Sequence, residues 1–247
     1  MLSYSKLGSS NKVLVCLHGF LENKTMWHFL MELSENYKLL LIDLPGHGLS
    51  SDPEEECSPT ITYHAKKVID VIQKEKIKSF SIIGHSMGAY VGLEVMRQCK
   101  DSCEKLIFLN SNCWSDNEQK KRDRFRLARI IDSVKTLFLQ EAIPALFGSP
   151  EDYTKEIDAM KESATKISSH SIAFSSICMA NRSDHSIFVQ ENPGKFVFIH
   201  GKMDRFIELS TLKQRIGKAT LYTLENSGHM SHIEDTQNIL RIIVAHI

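Results

Sequence analysis

The sequence has no excess of charge of either sign. Its 247 residues carry 30 basic and 30 acidic side chains, so that the formal net charge at pH 7 is zero. Without a strong surface potential, nothing attracts the protein to nucleic acid, an anionic membrane or a polyanionic substrate. We therefore expect the partner to be a small, largely uncharged molecule, and the composition leaves the oligomeric state open.

Long hydrophobic runs are absent as well. No apolar stretch approaches the roughly 20 residues that a membrane-spanning helix requires. The segment from Met1 to Ser10 has no basic region followed by an apolar stretch, which is the pattern of an export signal. These features predict a cytoplasmic protein that is neither secreted nor embedded in a membrane.

The cysteines do not form the pattern of a metal site. Several of them fall within apolar strand or helix patterns, which predicts reduced, structural thiols. Cys99 and Cys103 have helical spacing, but no second Cys or His cluster stands near them to complete a zinc site. We expect neither a metal nor an organic cofactor. The cysteines are Cys16, Cys57, Cys99, Cys103, Cys113 and Cys178.

Six short apolar runs rich in Val, Ile and Leu have the length and composition of buried parallel strands. Helical periodicity lies between them and predicts an α/β fold with a mostly parallel, doubly wound sheet. Only about ten residues precede the first run, so at most one short strand fits before it. The runs are Lys12 to Leu17, Lys38 to Leu44, Phe80 to Ile83, Lys105 to Asn110, Lys195 to His200 and Thr220 to Leu224.

The alternation of strand and helix stops between Asn112 and Asn192. This stretch contains helical patterns and no convincing strand. We interpret residues 113–191 as a helical cap, or lid, inserted into a core made of residues 1–112 and 192–247.

Helix-start signals divide this stretch into three predicted helices. Ser115 and Glu118 fit a capping box at the start of the first helix. The pair Ser149-Pro150 marks the second, since proline suits the first helical position. The apolar run from Ile172 to Ala180 predicts the third.

The segment Gly84-His85-Ser86-Met87-Gly88 follows the predicted strand Phe80 to Ile83 directly and precedes a helical pattern. This is the G-x-S-x-G nucleophile elbow in its strand-turn-helix context. The glycines are needed because the turn is tight and brings the backbone close to its neighbours. We predict Ser86 as the nucleophile.

A serine hydroxyl is a poor nucleophile until a base removes its proton, and that base is expected after the last strand. His229, in Ser227-Gly228-His229-Met230, stands there. His232, three residues further on, is the alternative.

An acid must hold the histidine in one tautomer, and the expected chain order is serine, acid, histidine. Asp204 lies just past the strand Lys195 to His200 and before His229. Glu208 is the reserve candidate.

The oxyanion of a tetrahedral intermediate needs fixed backbone donors. The backbone N–H groups of Met87, after the nucleophile, and of Phe20, after the first predicted strand, are the candidates. We expect Leu21, Tyr90 and Trp114 to contact the substrate.

Together these motifs resemble the α/β-hydrolase superfamily. The resemblance rests on His18-Gly19-Phe20, on Asp43 to Ser50, on the elbow, and on Asp204 with His229. It covers nearly the whole chain except the helical insertion. In such proteins the segment like Asp43 to Ser50 shapes the loop beside the active site and is not usually catalytic.

In size the chain looks like the small, capped, cofactor-free menaquinone-pathway synthases (SHCHC synthases) of that superfamily. Those proteins typically carry an arginine shortly after the elbow, whereas this chain has Ala89-Tyr90. Tyrosine cannot pair with a substrate carboxylate as the arginine fork does. This difference argues against that particular activity.

We therefore predict a serine hydrolase that cleaves a small carboxylic ester or thioester through an acyl-enzyme on Ser86. A carbon–carbon bond hydrolase or lyase, or an acyltransferase, using the same three residues is an alternative, since fold and triad do not fix the reaction. A receptor or scaffold that binds a ligand without turnover is an alternative from another class.

Overall fold

The computed structural model describes residues 1–247 and contains one seven-stranded sheet with the order β1-β3-β2-β4-β5-β6-β7. Strand β1 is antiparallel to β3, and every other neighbouring pair is parallel. The predicted fold class is confirmed, and one short strand precedes the first apolar run, within the limit set by its length. The strands are β1 Tyr4–Leu7, β2 Val13–Leu17, β3 Lys38–Ile42, β4 Phe80–His85, β5 Cys103–Leu109, β6 Phe196–Gly201 and β7 Thr220–Leu224.

Nine α-helices accompany the sheet, and none is long and apolar enough to cross a bilayer. They are α1 Ile61–Lys74, α2 Met87–Gln98, α3 Glu118–Ala142, α4 Thr154–Thr165, α5 Ser169–Ala180, α6 Ser186–Glu191, α7 Leu209–Arg215, α8 Ser231–Glu234 and α9 Thr236–Val244.

Both faces of the sheet are buried. Side chains alternate along a strand, so Val13, Val15 and Leu17 of β2 join the core under α1 and α2. Leu14 and Cys16 join a second core with α9 on the opposite face. This two-sided burial explains why the strands are continuous apolar runs.

The second face is also covered by a 3₁₀ segment, Lys24–Glu35, that the sequence patterns did not predict. Asn23 caps it, because its side chain accepts a hydrogen bond of 2.9 Å from the Thr25 N–H. Its buried residues, Trp27, Leu30 and Leu33, are spaced by three, which suits three residues per turn.

Helices α3 to α6 lie between β5 and β6, where the sequence predicted an insertion. The predicted capping box at Ser115 is wrong. Asn117 caps α3 by accepting a 2.9 Å hydrogen bond from the Lys120 N–H, and Glu118 is therefore the first helical residue. The segment at Pro150 forms only a 3₁₀ turn, and α4 begins at Thr154.

A third apolar cluster joins these helices to the loops at the carboxyl ends of the strands. Ile131, Phe147 and Ile172 from the insertion pack in it with Leu21 and Met230. The helices are thus fixed beside the edge of the sheet where parallel α/β folds place their ligands. The division of the chain into core and cap at residues 113 and 191 stays a prediction.

Candidate active site

Ser86 connects β4 to α2 in a strained turn. Its backbone has φ 49° and ψ −115°, outside the regions that residues with a side chain normally adopt. Such a conformation costs on the order of 1–3 kcal/mol and persists only where surrounding contacts impose it. Here the Ser86 N–H donates to Leu109 O at 3.0 Å, and the Ser111 hydroxyl donates to Ser86 O at 2.7 Å.

The two glycines of the elbow permit this turn. A Cβ atom at Gly84 would lie 2.5 Å from Ala89 Cα, and one at Gly88 would lie 2.1 Å from Leu17 O. Both contacts are with backbone atoms, which cannot move aside. The motif therefore needs glycine at each end, because there is no space for a Cβ atom at either position.

His229 follows β7 and reaches the nucleophile. Its Nε2 lies 2.9 Å from Ser86 Oγ. The peptide group of His229 is held on both sides, since its N–H donates to Leu146 O at 2.7 Å and its carbonyl accepts from His85 Nε2 at 2.9 Å. The first of these bonds comes from the inserted helical region and the second from the elbow.

Asp204 lies in the loop after β6, and its Oδ2 is 2.7 Å from His229 Nδ1. Its other oxygen accepts from the Phe206 N–H at 2.8 Å, and Asn110 Nδ2 donates to Oδ2 at 3.2 Å. Burial by itself would raise the pKa of this carboxyl, but the charge and hydrogen bond of His229 hold it well below its ordinary value. An ionised Asp204 fixes the proton on Nδ1 and leaves Nε2 free to accept from Ser86.

The two reserve candidates lie elsewhere. Glu208 is exposed and accepts from the hydroxyls of Ser210 and Thr211. His232 is buried, and its Nε2 faces Glu22 Oε1 at 3.8 Å. The structure thus brings together Ser86, His229 and Asp204, and their catalytic roles stay a prediction.

The two predicted oxyanion donors are backbone N–H groups, of which Met87 directly follows the nucleophile. The Phe20 N–H has no hydrogen-bond acceptor within the protein. Met87 is the first residue of α2, where helical N–H groups have no intrahelical partner. Both groups are therefore available to bind an anion, and their assignment as oxyanion hole stays a prediction.

The three predicted substrate contacts are divided between two cavities. Tyr90 and Trp114 line a cavity of about 190 Å³, whereas Leu21 lines a cavity of about 220 Å³ next to α4. Ser86 lines neither of them. The guanidinium of Arg182 covers the Tyr90 ring at 4.3 Å from its centroid.

A buried pair beside the triad was not singled out from the sequence. Glu22 Oε2 lies 2.6 Å from His85 Nδ1 and accepts the Gly19 N–H at 2.7 Å. Burial favours the neutral forms, but the two charges outweigh it: the pKa of Glu22 falls to about 2 and the pKa of His85 rises above its ordinary value. The only sequence signal was an acid three residues after Gly19, and its partner is 63 positions away.

A second carboxylate joins the His229 loop to the inserted helices. Glu234 accepts the N–H of Gly148 through Oε1 and the N–H of Gly228 through Oε2, each at 2.7 Å. Gly148 follows α3 and Gly228 precedes His229. Together with the bond from His229 to Leu146, this carboxylate fixes the two segments to each other.

A model of the alpha/beta hydrolase family matches residues 14–241. The chain belongs to this family.

Relatives carry hydrolase names. A serine hydrolase-like protein of Danio rerio is 33% identical over 104 residues, which is 42% of this chain and about a third (32%) of that relative's length. A Haemophilus influenzae protein named as a candidate esterase/lipase is 26% identical over 240 residues, covering 94% of this chain and 81% of its own. A thermophilic esterase from Thermogutta terrifontis, solved with malate bound, superposes with a TM-score of 0.87 at 21% identity, covering 99% of this chain and 92% of its own.

Proposed function

We propose that this protein is a serine hydrolase that cleaves a small carboxylic ester or thioester through an acyl-enzyme on Ser86. The observation that carries the proposal is the unbroken chain from Ser86 Oγ through His229 to Asp204, with contacts of 2.9 and 2.7 Å. Both distances lie within the hydrogen-bond reach that a nucleophile and its base require.

In the first step, Ser86 Oγ attacks the carbonyl carbon of the substrate while His229 Nε2 takes the hydroxyl proton. Asp204 stabilises the imidazolium that forms, and the N–H groups of Phe20 and Met87 bind the oxyanion. His229 then gives its proton to the departing alcohol or thiol. Water, activated by the same histidine, attacks the acyl-enzyme and releases the acid.

We further propose that residues 113–191 form a cap that determines which substrates enter. Phe147 and Met230 join this segment to the triad loops in one apolar cluster, and Trp114 and Tyr90 lie where the segment leaves the core. An apolar cover of this kind suits a small, largely uncharged acyl group.

The test is hydrolysis of p-nitrophenyl esters of two to eight acyl carbons by the wild type and by Ser86→Ala. We expect turnover with an initial burst in the wild type and a loss of roughly a thousandfold or more in the variant. The matched control is Ser210→Ala, at an exposed serine whose hydroxyl bonds Glu208; it retains most of the activity.

Labelling with a fluorophosphonate separates the rival functions. A wild type that labels at Ser86 but leaves simple esters intact would overturn the ester specificity and favour carbon–carbon cleavage or acyl transfer. A wild type that neither labels nor turns over would contradict the serine hydrolase and favour a binding protein.

A further inference from the structure

Glu22 and His85 connect three separate loops through one row of hydrogen bonds. The Gly19 N–H, in the loop that carries Phe20, donates to Glu22 Oε2. The same oxygen faces His85 Nδ1, and His85 Nε2 faces the carbonyl of His229. The row thus begins at the residue before Phe20, a predicted oxyanion donor, passes through the elbow and ends at the peptide group of the predicted base.

With Glu22 ionised, the contacts of His85 require a proton on each ring nitrogen. A carbonyl oxygen only accepts hydrogen bonds, so Nε2 carries a proton. An ionised carboxylate also only accepts, so Nδ1 carries a second proton, and the ring is an imidazolium. The directions of the pKa shifts agree, with burial outweighed by the partner's charge in both groups.

Burial makes this pair strong. The His85 side chain is 2% exposed and that of Glu22 5% exposed. A charge-assisted hydrogen bond in such surroundings is about twice as strong as a neutral one. Removing one partner leaves the other as an uncompensated buried charge, which is strongly destabilising.

We propose that Glu22 and doubly protonated His85 are positioning residues that hold the oxyanion loop and the His229 loop at a fixed separation around Ser86. This inference rests on the proposed function, because it assigns the pair to the geometry of that reaction. Neither side chain contacts Ser86 Oγ. Their effect passes through the Gly19 amide at one end and the His229 peptide group at the other.

Other charged groups around His85 leave this assignment intact. His229 and His232 lie beside its ring, with centroids 5.1 and 5.3 Å away. The pKa of His232 falls to about 3, mainly because the ring is buried, so it adds no charge near neutral pH. His18 lies in the oxyanion loop, and burial likewise lowers its pKa. Asp204 adds a negative charge that favours the imidazolium.

The kinetic test compares Glu22→Gln and His85→Gln with the wild type. We expect kcat for p-nitrophenyl acetate to fall roughly 10- to 100-fold, as for other residues that orient a reacting group, while KM changes less than about threefold. The matched control is His64→Gln, since His64 is equally buried and neither ring nitrogen has a hydrogen-bond partner. Values of kcat for Glu22→Gln and His85→Gln equal to that of the control would overturn the proposal.

A spectroscopic test needs no variant. In wild type labelled with ¹⁵N-histidine, we expect the His85 ring to show two protonated nitrogens at pH 7, and Glu22→Gln to convert it to a neutral ring. A neutral His85 ring in the wild type would overturn the proposal, even if the variants did not fold.

The same samples separate the failure of this inference from that of the proposed function. If wild-type Ser86 does not react with a fluorophosphonate, the proposed function fails. NMR then still tests whether Glu22 and His85 hold the two loops. We expect His85→Gln to shift the amide resonances of Gly19 and of residues 228–230, and unshifted resonances would refute the inference.

Metal content provides one more decisive measurement. Glu22, His85 and His232 each present one ligand atom within 4.8 Å of the others. A divalent cation there would displace the Nδ1 proton of His85. One equivalent of zinc in the purified protein would therefore overturn the imidazolium assignment, and its absence would support it.

Discussion

Glu22→Gln should destabilise the protein in a way that depends on pH. Glutamine keeps an oxygen that can accept the Gly19 N–H but removes the charge that faces His85. In the fold the pKa of Glu22 falls from 4.5 to about 2, and each pKa unit corresponds to about 1.4 kcal/mol. The ionised carboxylate thus contributes about 3 kcal/mol, which for a chain of this size lowers Tm by roughly 6–12 °C when it is lost.

The sign of the pH dependence follows from the two groups together. The pKa of Glu22 is depressed, so its contribution is complete above about pH 4.5 and is lost as the pH falls toward about 2. The pKa of His85 is raised, so its contribution is complete below about pH 6.5 and is lost as the pH rises through its higher folded value. The difference between wild type and variant should therefore be largest between about pH 4.5 and 6.5.

Urea unfolding, followed by the fluorescence of buried Trp27, measures this difference from pH 3 to 9. His64→Gln is the control, and its difference from wild type should not follow the same profile. A Glu22→Gln difference that stays constant across this range would show that no charge pair is lost, and the reasoning from burial and partner charge would be refuted.

Three further outcomes are expected. Asp204→Asn should lower kcat roughly a thousandfold or more with little change in KM. In the control Glu208→Gln, at an exposed carboxylate, kcat should stay within about twofold of the wild type. Equal losses of kcat would contradict the assignment of the acid. Gly88→Ala should lower Tm by at least several degrees or prevent folding, because its Cβ would lie 2.1 Å from Leu17 O; an unchanged thermal unfolding curve would contradict this close packing. Tyr90→Ala should change KM and acyl-length preference more than the rate of fluorophosphonate labelling, and identical ester profiles would remove Tyr90 from the substrate site.

Much of the fold was predictable from local pattern. The apolar runs correspond to strands because both sheet faces are buried, and the elbow is a local strand-turn-helix motif. The 3₁₀ segment Lys24–Glu35 was missed because its spacing of three is neither of the periodicities that indicate a strand or an α-helix. The start of α3 was misplaced because Asn117 competes with Ser115 as a cap, and local sequence does not decide between them.

Within the site, residues placed by a local motif could be predicted, and residues paired across distant loops could not. The grouping of Ser86, His229 and Asp204 was predictable because each follows a strand in a fixed order along the chain. Glu22 and His85 were not, since their partnership depends on how three loops meet in space. The separation of Leu21 from Tyr90 and Trp114 likewise depends on where α4 and the segment after α5 pack, which residue spacing does not determine.

The bonds from Leu146 and Glu234 to the His229 loop have a consequence for protein engineering. A cap is often treated as a module that can be exchanged between relatives to alter specificity. Here the segment after α3 accepts a hydrogen bond from the His229 N–H through the Leu146 carbonyl. Its Gly148 N–H and the Gly228 N–H both donate to the carboxylate of Glu234. A transplanted cap would bring its own version of these anchors, and a chimera could accept a new substrate yet hold its histidine out of line with the serine.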